Sequence, residues 1–285
     1  MQFLRHIFGL EGATSVNSVA PSPPVSQPAW PRLKAAWASD AGTVRHHNED
    51  TALVITAAHS GNDALPEFGV FVLADGMGGH QAGEVASSLA ARIVAHNIVH
   101  DFYLPTLVSV ERGTDQPALN EMLVAAVQAA NASVSDEVPG GGTTLTCALV
   151  LGPRAYIAHV GDSRAYVITD EGFDQITHDH SLVDRLVELG QLTRDEAAIH
   201  PQKNVLYRAV GQSGVLEVDT YVRTVPPGGR LLLCSDGLWS MVSEAEAASI
   251  VAAAPSLNAA CTDLVAAANQ AGGLDNITAI LVEPS

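Results

Sequence analysis

Residues 70–93, VFVLADGMGGHQAGEVASSLAARI, hold a strand, a glycine-rich turn and a helix in immediate succession. The run from Val70 to Ala74 is apolar, four glycines then fall within eight residues, and apolar residues return at helical spacing. An Asp-Gly pair such as Asp75-Gly76 is most often a turn, because glycine takes positive φ and aspartate bonds its own backbone. The other segments of the chain decide whether Asp75 is a turn residue or a ligand.

The composition limits the possible partners of the protein. The chain has 285 residues, and 47% of them are hydrophobic, which is enough for a sizeable core in one large domain or two small ones. Its 14 basic and 31 acidic residues give a net charge of −17, which repels nucleic acid and anionic membrane surfaces. No apolar run approaches the roughly 18 residues of a membrane span. We therefore expect neither a nucleic-acid partner nor a membrane span.

The cysteines and the N-terminal segment indicate where the protein works and where its domain begins. Three cysteines occur without a CxxC spacing, which favours reduced, buried thiols and a cytoplasmic location. Residues 12–31 are rich in serine, proline and alanine and almost uncharged, the composition of a flexible segment. The sequence thus predicts a flexible tail over residues 1–33 and one domain over 34–285, and we expect a monomer.

Strand and helix patterns alternate in blocks along the domain. Three strands precede a helix from residue 82 to about 104, and a second helix runs from about 117 to 138. Four strands follow, joined by turns too short for crossover helices, which indicates antiparallel pairing. Residues 178–209 predict an excursion with short helices capped at Ser181 and Thr193, which resembles a flap. Two strands, two helices and a last strand complete the chain.

The two helix pairs lie between blocks of hairpin strands, and long apolar strands need cover on both faces. The pattern therefore predicts an α+β fold, a four-layer α-β-β-α sandwich of two antiparallel sheets flanked by helix pairs.

Acidic residues recur at the boundaries of the predicted strands. They are Asp75, Asp162, Asp236 and Asp275, with Glu49 and Asp50 directly before another strand. Each alone is most often a turn residue. If they converge, carboxylates about 4 Å apart repel by roughly 4 kcal/mol at an effective dielectric constant of 20. Arg45 and Arg164 are the basic residues in these segments. Mg²⁺ or Mn²⁺ would relieve the repulsion, and two ions sharing a carboxylate would activate a bridging water.

Eight segments in order carry a family resemblance. They are RHHNED, LADGMGGHQAGE, GGTTLT, AHVGDSRAY, THDHSLV, RAVG, LLLCSDGLW and GGLDNITAILV. This set resembles the metal-dependent serine/threonine protein phosphatases of type 2C, in their bacterial branch, from about residue 35 to 283. The resemblance implies an α-β-β-α sandwich and hydrolysis of phosphoserine and phosphothreonine on proteins by a metal-bridging hydroxide. It also implies phosphoprotein substrates and a cognate serine/threonine kinase.

The resemblance assigns a role to each residue that matches the family motifs. It implies two core ions, Mn²⁺ or Mg²⁺, and a third, weaker one. By this resemblance, Asp75 bridges both core ions, the Gly76 carbonyl binds one of them, and Asp236 and Asp275 bind the other. Asp162 and Asp236 bind the third ion. Glu49 and Asp50 position metal-bound water, and Arg45 receives the substrate phosphate. Asp75 is thus interpreted as the bridging ligand, which answers the question raised by the turn.

One position departs from the eukaryotic members of the family. Many of them have a histidine, proposed as the general acid, where this chain has Met77, and a thioether cannot donate a proton. His80 is the nearest replacement, and a histidine that orients the loop by hydrogen bonding is an equally good interpretation.

Rival interpretations remain for the function and for one histidine pair. A phosphatase with Asp75 as covalent nucleophile needs a DxD pair, but residue 77 is methionine. A catalytically weak, phosphate-binding pseudophosphatase acting as a signalling module would be expected to have lost a ligand, and none is missing. His178 and His180 have a spacing that suits zinc, but no further ligand motif is near.

Overall fold

The computed structural model describes residues 33–58, 67–78, 81–108 and 118–284. The predicted tail up to residue 32 and His80 lie outside the described residues. Within the described ranges, no helix combines the length and the apolar character needed to cross a membrane.

Two antiparallel sheets form the centre of the fold. The first sheet has the strand order β1-β11-β10-β7-β8, and the second has the order β2-β3-β5-β6-β9, with the short β4 paired to β3. The strands are β1 Lys34–Asp40, β2 Asp50–Ala57, β3 Phe68–Met77, β4 Gly142–Thr143, β5 Leu145–Leu151, β6 Arg154–Val160, β7 Arg164–Thr169, β8 Gly172–Gln175, β9 Asp219–Thr224, β10 Arg230–Cys234 and β11 Ile277–Glu283.

Helices cover the outer face of each sheet. The chain forms α1 Gln81–Ile98, a π-helical turn Val99–Tyr103, α2 Leu104–Val108, α3 Leu119–Glu137, α4 Leu182–Glu188, α5 Arg194–Ala198, α6 Asp236–Trp239, α7 Glu244–Ala253 and α8 Leu257–Gln270. The pair α1 and α3 packs on the second sheet, and α7 and α8 pack on the first. The predicted four-layer sandwich is therefore confirmed.

Alternation along each strand builds three apolar layers. In β3, Val70 and Val72 face α1 and α3, whereas Phe71 and Leu73 face the other sheet. This is the period of two that a strand imposes on its side chains. Burial on both faces explains why β3 is apolar from Phe68 to Ala74 instead of alternating with polar residues.

The boundaries of several helices differ from the prediction. The first helix was expected to end near residue 104, but it continues through the π-helical turn into α2. The wider turn ends at Tyr103, two residues before Pro105, which has no N–H for the regular helical bond. The short α6 was not predicted at all. The N-caps Ser181 and Thr193 are confirmed, since each hydroxyl accepts a backbone N–H three residues on.

The strand directions bring the acidic strand boundaries to one edge of the sandwich. Asp50 at the start of β2 is paired with Asp75 near the end of β3. In the first sheet, Cys234 at the end of β10 is paired with Ala279 near the start of β11, so Asp236 and Asp275 flank the same edge. Because neighbouring antiparallel strands run in opposite directions, ends and starts alternate along one edge.

Candidate metal centre

Asp75 is held by the loop that enters β5. Its backbone N–H donates to Thr144 Oγ1 at 3.0 Å, and its carbonyl accepts from the Thr144 N–H and from Thr143 Oγ1, both at 2.8 Å. Thr144 Oγ1 also lies 2.8 Å from Ser163 Oγ. The main chain of Asp75 is therefore fixed by two threonines that come from another part of the chain.

Gly76 lies where two other backbone segments approach closely. Its N–H donates to the Glu49 carbonyl at 3.1 Å. A methyl group at Gly76 would collide with the carbonyl oxygens of Gly83 and Glu49. Only glycine fits this position without displacing the beginning of α1.

Asp50 is tied to the first sheet through Ser235. Ser235 Oγ donates to Asp50 Oδ2 at 2.8 Å and accepts the Thr278 N–H at 2.9 Å. The other carboxylate oxygen, Asp50 Oδ1, is buried and has no hydrogen-bond partner among the described residues. A buried carboxylate oxygen without a partner is costly, and a cation or an ordered water is the usual explanation.

Asn276 organises the loop that carries Arg45 and Glu49. Its Nδ2 donates to the carbonyls of Ala41 and His47 at 3.0 and 2.8 Å, and its Oδ1 accepts the Glu49 N–H at 2.8 Å. All three hydrogen bonds of the buried Asn276 side chain therefore go to the loop between β1 and β2, which crosses from the first sheet to the second.

Arg45 forms an ion pair with one of the acids. Its Nη2 lies 2.7 Å from Asp275 Oδ2, and the two side chains are 52% and 31% exposed. This bond raises the pKa of Arg45 further, so the guanidinium keeps its charge. The ion pair places a cationic group beside the acids at this edge of the sandwich.

Asp162 lies in the loop that crosses from β6 in the second sheet to β7 in the first. Its carbonyl accepts the Trp239 Nε1–H at 3.0 Å. Trp239 is the last residue of α6, the helix that begins with Asp236. The carbonyl bond therefore joins the loop of one acid to the helix that holds another.

Burial and mutual repulsion shift the titration of these acids. The pKa of Asp50 is raised to about 7 and that of Asp162 to about 8, chiefly by burial, and the nearby Asp236 contributes to both shifts. The pKa of Asp236 is raised to about 6 by burial and by Asp275, although hydrogen bonding with Asp75 opposes this. Burial and four neighbouring aspartates raise the pKa of Asp75 well above its usual range. The acids therefore interact as one cluster, which we call the acidic edge.

The donor set of the acidic edge suits a hard divalent cation. It offers carboxylate and carbonyl oxygens, which Mg²⁺ and Mn²⁺ prefer, together with the unpartnered Asp50 Oδ1. Among the described residues, no three acidic, histidine or cysteine side chains already surround a single point as ligands. Asp275, for example, faces Arg45. The residues therefore fit such cations in the kind of donor that they offer and in their common location at one edge of the sandwich.

The structure brings together most of the predicted site residues. Asp75, Asp50, Asp162, Asp236 and Asp275 interact electrostatically, and Arg45, Glu49 and Gly76 adjoin them. His80 lies outside the described residues, so its role stays a prediction.

The sequence did not identify Ser235 and Asn276 as supporting residues, and it predicted no contact between the site and Thr143 or Thr144. Ser235 and Asn276 each stand next to a predicted ligand in the sequence, and Thr143 and Thr144 are the last two residues of the glycine-rich segment PGGGTT. These positions are the signal that the sequence offers.

A comparison with known families identifies the family of this chain. The sequence profile described as Protein phosphatase 2C matches residues 48–277, which is most of the chain. The chain belongs to the protein phosphatase 2C family. Serine/threonine phosphatase stp of Listeria innocua is 39% identical to this family member over 251 residues, which cover 88% of this chain and 96% of the relative.

Solved structures agree with the family membership. The Mycobacterium tuberculosis serine/threonine phosphatase PstP/Ppp superposes with a TM-score of 0.72 at 34% identity, covering 89% of this chain and 99% of that one. The catalytic domain of serine threonine protein phosphatase PstP in complex with two manganese ions gives a TM-score of 0.70 at 35% identity, with 88% and 97% covered. The prediction of a protein phosphatase of this family is thereby confirmed.

Proposed function

We propose that this phosphatase 2C family member hydrolyses phosphoserine and phosphothreonine on proteins, with Mn²⁺ or Mg²⁺ as its cofactor. The acidic edge is the observation that carries the proposal, because it gathers aspartates with raised pKa values from both sheets. One of them is Asp50, whose buried Oδ1 has no hydrogen-bond partner in the part of the chain that the structure describes. Support also comes from relatives named as serine/threonine phosphatases and from a similar catalytic domain that holds two manganese ions.

Most residues of the acidic edge are assigned to one or more of the ions. Asp75 would be shared by two ions, the Gly76 carbonyl would bind one of them, and Asp236 and Asp275 would bind the other. Asp162 would join Asp236 at a third, weaker ion. When bound, such ions polarise the phosphoryl oxygens and supply a hydroxide nucleophile from water.

The remaining residues position water and substrate. Asp50 Oδ1 is the acceptor that can orient a water, since Ser235 already occupies Oδ2. Glu49 lies beside it on the same loop. The planar guanidinium of Arg45 presents several donors at the rim, which suits two phosphoryl oxygens at once. Met77 cannot donate a proton, so protonation of the leaving group falls to another group.

Turnover of an aryl phosphate by metal-stripped protein, with and without added Mn²⁺, tests the proposal. We expect no turnover in excess EDTA and recovery when Mn²⁺ is restored. Full activity in EDTA would refute it. Peptides with phosphoserine or phosphothreonine should be hydrolysed, while a phosphotyrosine peptide of the same sequence should be a poor substrate.

The same experiment separates the rival functions. A pseudophosphatase would bind phosphate without turnover, and a covalent mechanism would leave acid-stable phosphate on Asp75 in quenched reactions. The complete set of acids argues against a pseudophosphatase, and methionine at position 77 argues against the covalent mechanism. The cognate kinase, the cytoplasmic location and the monomeric state stay predictions.

A further inference from the structure

His180 is buried at the base of the flap-like excursion. Its side chain is 2% exposed, and its ring lies near that of His159, with 5.0 Å between the ring centroids. The neighbouring His178 has a different environment, because its ring faces Tyr221. The two histidines suggested by their spacing as a pair therefore have separate surroundings.

The main feature of His180 is that it bonds to both backbone polar groups of one residue, Gly161. Its backbone N–H donates to the Gly161 carbonyl at 2.7 Å, and its ring Nδ1 accepts the Gly161 N–H at 3.1 Å. One residue thus satisfies both polar groups of Gly161, the residue directly before Asp162. Gly161 has φ near +109°, and a methyl group there would collide with Thr144.

The second ring nitrogen of His180 has its own partner. Nε2 lies 3.3 Å from Asp219 Oδ2, at the start of β9. Since Nδ1 accepts a backbone N–H, we assign the proton of the neutral ring to Nε2, whose N–H then donates to Asp219. Arg208 Nη1 also lies 3.4 Å from this nitrogen. Asp219 is held in turn by Arg208 at 3.1 Å and by the Tyr221 hydroxyl at 3.2 Å. The ring orientation is therefore fixed from both sides.

Asp179, the residue before His180, acts on the other side of Asp162. Its carboxylate binds Arg164 through Nε and Nη2 at 2.7 to 3.1 Å. The Arg164 guanidinium lies 3.6 Å above the centre of the Trp239 ring, and that indole donates to the Asp162 carbonyl. The backbone on both sides of Asp162 is thus held in place: His180 binds the preceding residue, Gly161, and Trp239 binds the Asp162 carbonyl.

We infer that His180 is a positioning residue for the acidic edge, because it fixes the backbone on both sides of Gly161 so that the Asp162 carboxylate faces Asp236. This inference rests on the proposed function, because Asp162 is a metal ligand only there. Residues that hold a metal ligand in place affect metal affinity by about 10- to 100-fold when they are replaced. His180 therefore couples the base of the flap-like excursion to the binding of the ion at Asp162.

Two substitutions separate the two ring nitrogens. Asparagine places an amide near the position of Nδ1, so His180→Asn keeps an acceptor for the Gly161 N–H. Glutamine places its amide near the position of Nε2, so His180→Gln keeps the Asp219 contact and loses the Gly161 bond. A purely structural role for a buried histidine would make both variants lose stability without this distinction.

The readouts are Mn²⁺ affinity by titration calorimetry, the Mn²⁺ concentration for half-maximal turnover of an aryl phosphate, and the melting temperature of metal-free protein. We expect His180→Gln to weaken Mn²⁺ binding and raise the required Mn²⁺ about tenfold, with KM unchanged, and His180→Asn to stay within about twofold of wild type. Equal Mn²⁺ requirements in both variants would overturn the inference. Wild-type turnover in EDTA would instead refute the proposed function.

The wild-type protein supplies a test that does not depend on a folded variant. In ¹⁵N-labelled protein, the Gly161 amide should show scalar coupling across the hydrogen bond to His180 Nδ1, and Nδ1 should have the chemical shift of an unprotonated ring nitrogen. A protonated Nδ1, or no coupling, would overturn the inference.

Discussion

The apolar layer between the sheets and the acidic edge are built from the same strands but have opposite energetics. Leu73 in β3 and Leu233 in β10 are fully buried between the sheets. Two residues after Leu73 comes Asp75, and three after Leu233 comes Asp236. Burial of the leucines stabilises the fold, whereas burial of the aspartates raises their pKa values and destabilises it without a counter-charge. Residues in the middle of these strands therefore stabilise the fold, whereas the residues at their ends form the acidic edge.

The largest effect is expected in the apolar layer. Leu73→Ala should lower the free energy of unfolding by about 3 kcal/mol, because it leaves a cavity between the two sheets. Denaturant unfolding measures this change. Val222→Ala is the control, since Val222 is 43% exposed on β9 and should cost under about 1 kcal/mol. Similar losses in the two variants would contradict the division between layer and edge.

At the acidic edge, Asp236→Asn should act on catalysis. Losing this charge removes a proposed metal ligand, so we expect kcat to fall at least about a hundredfold, or roughly 2.7 kcal/mol of barrier. Turnover of an aryl phosphate at saturating Mn²⁺ measures it. Asp174→Asn on the exposed part of β8 is the matched control and should leave kcat unchanged. Wild-type kcat in Asp236→Asn would show that the assigned role is wrong.

The raised pKa values predict a pH dependence for metal-free protein. Between pH 4 and 8 the folded state holds more protons on these aspartates than the unfolded state, so their contribution to stability falls as pH rises. Asp236→Asn removes one repelling charge and should stabilise metal-free protein by about 2 kcal/mol at pH 8, and little at pH 4.

Melting temperatures of wild type and Asp236→Asn across this pH range, in EDTA, measure the effect. Added Mn²⁺ should stabilise wild type more at pH 8 than at pH 5.5, because protons compete with the ion for the carboxylates. A variant that is less stable than wild type at pH 8 in EDTA would contradict the view that the acidic edge is strained by repulsion.

The smallest effect is expected at the rim. Arg45→Ala should raise KM about tenfold and change kcat little, because phosphoryl oxygens carry charge in both ground and transition states. Its half-exposed pair with Asp275 contributes at most about 1 kcal/mol to stability. Steady-state kinetics and Mn²⁺ calorimetry measure the two effects, and the exposed Arg92→Ala is the control of equal charge change. Loss of Mn²⁺ binding in Arg45→Ala would assign Arg45 to the metal centre instead.

Much of the fold was predictable because its signals are local. The apolar period of strands such as β3 and the serine and threonine caps of α4 and α5 are set by neighbours within a few residues. The π-helical turn before Pro105 and the short α6 were missed. Both depend on how a few residues settle between longer elements, and neither has a periodic pattern of its own.

The site was predictable only in part, and the supporting residues show why. Ser235 binds Asp50 across 185 positions of the chain, and Asn276 binds Glu49 across 227. His180 is 19 positions from Gly161, on the far side of a hairpin. A serine, an asparagine or a histidine has no sequence pattern that names such a distant partner.

The sequence by itself determined the family, the strands with their acidic ends and the residue types that suit a hard cation. Only the tertiary structure decided that these acids meet, because alternating strand directions place the end of β3 beside the start of β2 and the end of β10 beside the start of β11. It also decided what holds them, since Thr144, Ser235, Asn276 and His180 bond to backbone or side chains far away in the chain. Local propensities follow from the covalent chain, whereas the convergence of like charges exists only after the two sheets have packed.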